Sequence, residues 1–147
     1  MSDHSVSKEA AAKAKGLVIV APGDRQLFVD IDDWESMGVF STLVEVLNKF
    51  RPCTWRTAPS PSRKAGRFHV TVTFNDGPAL TNLERLALQA MLGSDRLHEL
   101  LSYRGHFAGD PTPTVFFERP EDLPAVVWLA DDMFVVAGAA ASMDGKP

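Results

Sequence analysis

The chain has 147 residues, 45% of them hydrophobic and 23% charged, with a formal net charge of -4 and a pI near 5.5. That composition suits one soluble globular domain, which the order of elements below makes α+β, and it excludes nucleic-acid binding by bulk positive charge. A lone cysteine, Cys53, excludes an internal disulfide and a thiolate-built zinc site, which points to a reducing, cytoplasmic setting. No run approaches the roughly 18 consecutive apolar residues of a membrane span, so neither a membrane partner nor a signal peptide is expected.

Residues 1–15, rich in Ala and Lys, read as a flexible tail or a short solvated helix. The domain is expected over 16–120. Leu17-Val18-Ile19-Val20, the turn signal Pro22-Gly23-Asp24 and Gln26 to Ile31 read as a hairpin. Met37, Phe40, Leu43, Val44, Leu47 and Phe50 recur at helical spacing, which predicts a helix over 35–50 that Pro52 stops.

Cys53 to Thr57 and residues 67–74 read as two strands paired as a hairpin, joined by a Pro-, Ser- and basic-rich loop. Thr81-Asn82-Leu83-Glu84 is a capping-box pattern opening a helix with Leu83, Leu86, Ala87, Ala90 and Met91 inward. Ser94 or Asp95 caps a further helix through Tyr103, with Leu97, Leu100 and Leu101 inward, and Thr114 to Glu118 reads as a strand. Residues 121–147 form an apolar C-terminal segment and tail, whose stretch Leu123 to Ala141 either buries itself or makes a homo-oligomer interface.

Leaving out the first strand, the order β-α-β-β-α-(α)-β matches a split βαβ, ferredoxin-like antiparallel sheet backed by helices. The strand Leu27-Phe28-Val29-Asp30-Ile31-Asp32-Asp33 carries the densest chemistry. Alternation sends Val29 and Ile31 to the core and puts Asp30 and Asp32 on the opposite face. The same parity rule in Arg67-Phe68-His69-Val70-Thr71-Val72 places Arg67, His69 and Thr71 on that face, expected to be open. Two carboxylates suit Mg2+ or Mn2+, and His and Arg suit phosphate oxygens, which together are the requirements of nucleotidyl transfer.

Charge is segregated as well. Between Val46 and Asn75 there is no acidic residue, while Lys49, Arg51, Arg56, Arg63, Lys64 and Arg67 are basic, so the loop before His69 is a candidate steering surface for phosphate or single strands. Plainer readings stand beside these. Carboxylates at a strand end that runs into a helix also cap its first turn, which is the role expected of Asp33, and Gly93-Ser94-Asp95 between two helices is ordinary capping chemistry.

At Asp30-Ile31-Asp32, at Ser62-Arg63-Lys64-Ala65-Gly66-Arg67-Phe68-His69 and at Leu92-Gly93-Ser94-Asp95 the chain resembles the catalytic core of the archaeo-eukaryotic primase superfamily. The resemblance covers roughly residues 25–118. It implies an RRM-like sheet and metal-dependent nucleotidyl transfer by a minimal, phage- or mobile-element-type member. Asp30, Asp32 and Asp95 would hold Mg2+ or Mn2+, His69 would contact the nucleotide's phosphates, and Ser62, Arg63, Lys64, Arg67 and Arg104 would bind nucleotide and single-stranded nucleic acid. His69-Val70-Thr71-Val72 also resembles the His-x-Thr motif of 2H phosphoesterases, which use two such motifs; His4, His98 and His106 head none. A non-catalytic RRM-like module that binds nucleic acid or protein is the third reading.

Overall fold

The computed structural model describes residues 3–123 and 134–135. Along the chain lie α1 (Asp3–Ala14), β1 (Val18–Ala21), β2 (Gln26–Ile31), α2 (Trp34–Phe50), β3 (Cys53–Pro59), β4 (Phe68–Phe74), α3 (Asn82–Met91), α4 (Arg96–Phe107), β5 (Phe116–Glu118), a 3-10 turn (Pro120–Asp122) and β6 (Phe134–Val135). The fold is α+β, with two small antiparallel sheets ordered β2-β4-β3 and β5-β1-β6. No described helix is long and apolar enough to cross a membrane.

Asp33 starts α2 as its position predicts, its carboxylate accepting the Ser36 N–H at 2.8 Å, and Thr81 with Glu84 closes the expected capping box on α3. β3 and β4 pair as the expected hairpin. Leu27, Val29 and Ile31 of β2, Val70 and Val72 of β4, and Phe40 and Val44 of α2 form the main core between sheet and helix. Trp34 lies against Gly66, where a Cβ would come within 3.1 Å of its ring, and this draws the β3–β4 loop toward the start of α2.

Several expectations are overturned. β1 does not form a hairpin with β2; it pairs with β5 and β6. Of the two N-terminal alternatives Asp3–Ala14 takes the helical one, but the helix is seated on β1 through buried Ala12 and tied down by Lys8, which meets Asp110 at 2.7 Å and donates to the Thr112 carbonyl. Most of the apolar segment 123–141 lies outside the described residues; within them Leu123 is buried and Phe134–Val135 pair with β1.

Apart from Leu86, which is buried as expected, the two later helices reverse the expected polarity. On α3 the buried side chains are Arg85, Leu86 and Gln89, while Leu83 and Met91 are exposed; on α4 they are Glu99, Ser102 and Gly105, while Leu97, Leu100 and Leu101 face outward. The cause is the strand they cover. No described strand pairs with the second edge of β2, and a bare backbone edge must find partners. Arg85 donates to the Gln26 carbonyl at 2.8 Å, Gln89 accepts the Phe28 N–H at 2.7 Å, Ser94 accepts the Asp30 N–H at 2.9 Å, and the Asp95 N–H reaches the Asp30 carbonyl at 2.7 Å. Polar side chains face inward because the surface they meet is polar.

Candidate functional site

The β2–β4 register sets Asp30 directly opposite His69 and Phe28 opposite Thr71, so the shared face expected from alternation exists. It is only partly open. β5 lies across it, and the Phe116 ring stacks on His69 at 3.9 Å between centroids and on Phe28 at 4.3 Å, both nearly parallel. What remains is a cleft of about 420 Å3 lined by Asp30, Asp32, Ser62, Arg67, His69 and Arg104 among others, with Lys8 and Lys15 also on its wall.

His69 is the most constrained group there. Its Nδ1 lies 2.9 Å from the buried carboxylate of Glu118, its ring plane is fixed by Phe116, and its Nε2 stands 3.8 Å from Asp30 Oδ1. A carboxylate at Nδ1 selects the tautomer that carries its proton there, leaving Nε2 toward Asp30 and the cleft. Asp32 pairs with Arg67, whose Nε is 3.2 Å away, and both remain substantially exposed.

Burial pushes the Asp30 carboxyl above the usual carboxylate range, and Asp95 and Asp32 add to this; His69 and His98 pull the other way without cancelling it. A carboxyl so perturbed beside an oriented imidazole is a common signature of acid–base chemistry.

Asp95 is placed differently from the carboxylates of β2. Its carboxylate caps α4 by accepting the His98 N–H at 3.1 Å, and it does not line the cleft. Among the described residues no group of three or more His, Cys, Asp and Glu side chains is arranged to hold a metal ion. Arg63 points to the 3-10 turn, where Nη2 meets both Asp122 oxygens at 2.8 and 2.9 Å. Lys64 is exposed and outside the cleft lining, whereas Ser62 is in it, its hydroxyl 2.8 Å from that of Ser60.

Sequence reasoning missed Glu118, Phe116, Gln89, Glu99 and His98. Glu99 is buried and accepts from Gln89 at 2.9 Å, Ser94 at 2.7 Å and His98 Nδ1 at 2.9 Å, while His98 Nε2 reaches the Val115 carbonyl at 3.1 Å. Burial would keep His98 neutral, but Glu99, Asp30 and the Val115 carbonyl outweigh it and its pKa is raised. An acceptor stands at each ring nitrogen, an arrangement that favours the protonated form. The available signal was polar pairs at helical spacing, Arg85 and Gln89 on α3 and Glu99 and Ser102 on α4, a pattern ordinarily read as a solvated face.

No protein-family model, no curated protein and no solved structure matches the chain.

Proposed function

We propose that the cleft binds the phosphates of a nucleotide or of single-stranded nucleic acid, and that the chain is a minimal relative of the primase-polymerase nucleotidyltransferases. The observation that carries this reading is the register that sets Asp30 against His69 in one cleft with Asp32, Arg67 and Arg104. The run β2-α2-β3-β4-α3, with β4 between its neighbours, supports the RRM-like reading of the sheet, with side chains in place of a fourth strand beside β2.

Arg67 and Arg104 would neutralise phosphate charge, Arg67 exchanging its exposed partner Asp32 for a phosphate oxygen. His69, fixed at Nδ1 by Glu118, would meet a phosphate oxygen through Nε2. Asp30, its carboxyl raised by burial, would accept the proton of an attacking hydroxyl. Mg2+ or Mn2+ arriving with the nucleotide would supply further charge neutralisation. Asp30 and Asp32 fit a cation that takes one or two carboxylates with substrate phosphates, and the three-carboxylate set including Asp95 is not assembled.

The test is calorimetric titration with MgATP and with an oligothymidylate. Wild type should bind at least one of them, and Arg67→Ala/Arg104→Ala should weaken binding by about tenfold or more, equivalent to about 1.4 kcal/mol. No binding of either at millimolar concentration sinks the proposal. Primer extension then separates turnover from binding alone.

A second reading is favoured by the fixed His69 tautomer: metal-independent cleavage of a phosphodiester with His69 and Asp30 as the acid–base pair. The other histidine at the cleft, His98, has both nitrogens engaged and supplies no second motif. Hydrolysis of a cyclic phosphate in EDTA, abolished by His69→Ala, would establish it.

A further inference from the structure

Because α3 and α4 turn polar side chains toward β2, their apolar side chains are displaced to the outside. There they meet the N-terminal half of α2 across a groove of about 970 Å3, which adjoins the phosphate cleft at Asp32. Its apolar lining includes Val39, Leu83, Leu86, Ala90, Leu100 and Tyr103, and within it Leu100 is 63% exposed, Tyr103 49% and Leu83 46%. Gly93 holds the end of the groove narrow, since a Cβ there would meet the Ser36 carbonyl at 3.3 Å. The outer stripe of α2 continues the apolar surface through Leu43, Val46 and Phe50, at spacings of three and four residues. Exposed apolar side chains gathered along one groove suit an interaction site.

Charge selects the occupant. The carboxylates of Asp32, Asp33, Glu35, Asp95 and Glu99 belong to the lining, against one lining cation, Arg96, among the described residues, and of the five only Asp32 has an arginine partner, Arg67 at 3.2 Å. A second copy of this chain would bring the same acidic rim against itself. Of the chain's own C-terminal segment, the described residues Phe134–Val135 pair with β1. Nucleic acid would be repelled by the rim. We propose that the groove docks an amphipathic helix of a partner protein whose apolar stripe is flanked by Lys and Arg, in the helix-in-groove manner. The proposal stands independently of nucleotide binding.

The probe is a synthetic Leu/Lys amphipathic helix of about 18 residues, titrated into the full chain by fluorescence anisotropy at low and moderate salt. Controls are a scrambled peptide of the same composition and a Leu/Glu counterpart. Expected are salt-sensitive binding of the Leu/Lys helix, binding about tenfold or more weaker for the scramble, and no binding of the Leu/Glu helix. Leu83→Lys and Leu100→Lys, both at exposed positions, should each weaken binding by about tenfold, a typical loss at an interface anchor. Glu35→Gln should weaken it less, and unchanged melting temperatures would confirm that all three variants fold. The proposal is overturned by no binding to wild type, by equal binding of the scramble, by full affinity in Leu100→Lys, or by sedimentation showing wild-type self-association that Leu100→Lys abolishes.

Discussion

The Ser94 hydroxyl accepts the Asp30 N–H at 2.9 Å and donates to Glu99 at 2.7 Å, so the backbone of the strand that bears the site is held by a side chain from the α3–α4 turn. Gln89 does the same one step along, between the Phe28 N–H and Glu99. Gln89→Leu keeps the volume but strands both partners in a buried place. It should cost about 2–4 kcal/mol and lower the melting temperature by roughly 6–12 °C for a domain of this size. Ser94→Ala should cost less, about 1–2 kcal/mol. Thermal and urea unfolding check both, and a Gln89→Leu chain as stable as wild type would show that the network is dispensable.

The pH dependence follows from His98. Its pKa is raised in the folded chain, so folding favours the protonated ring. The associated stability is fully present below the unfolded-state value of about 6.5 and declines as pH rises through the higher folded-state value. Urea unfolding from pH 5.5 to 9 should therefore show a falling limb that His98→Gln lacks. An identical profile in the variant would remove His98 as its source.

Asp30 acts with the same sign but for the opposite reason. Its carboxyl is raised because burial penalises the charged form, so at neutral pH the charged side chain weakens the fold. Asp30→Asn should raise the melting temperature at pH 7 while abolishing any turnover. A variant less stable than wild type at pH 7 and equally stable at pH 3 would reverse the assignment.

Glu118→Ala should release His69 from its tautomer. The two ring-nitrogen signals of His69, expected in wild type to separate into a protonated Nδ1 and a bare Nε2, should move toward the mixed values of a free imidazole in 15N spectra. Stability should fall by about 1–3 kcal/mol from loss of the buried hydrogen bond. Unchanged nitrogen shifts would mean that Phe116 alone sets the ring.

Arg63→Ala and Arg67→Ala should part company. Arg63 is engaged with Asp122, so its removal should leave nucleotide affinity unaltered, whereas loss of Arg67 from the cleft should reduce it several-fold. Equal losses in parallel titrations would place the β3–β4 loop in the binding surface after all.

Alternation and caps were legible in the sequence because each is a local pattern with a single physical cause. Val29 and Ile31 against Asp30, Phe68 and Val70 against His69, the Asp33 cap and the Thr81–Glu84 box could all be read directly. What could not be read was what covers each face. Periodicity reports that one side of a helix differs from the other, not whether that side meets hydrocarbon or an unpaired strand edge. Leu83, Met91, Leu97, Leu100 and Leu101, expected inward, face outward for that reason. Glu118 was missed for another: β5 reaches His69 only through pairing with β1, a contact some hundred positions distant in sequence that no local signal encodes.

The side-chain seal on β2 also bears on how the chain behaves in a crowded solution. An unpaired strand edge invites a neighbouring chain to add to the sheet. Here the invitation is withdrawn by Arg85, Gln89, Ser94 and the Asp95 backbone, while at the opposite margin β3 carries Arg56 and ends in Pro59, two residues that discourage strand addition. The network that steadies the site therefore also guards the chain against growing into a fibre.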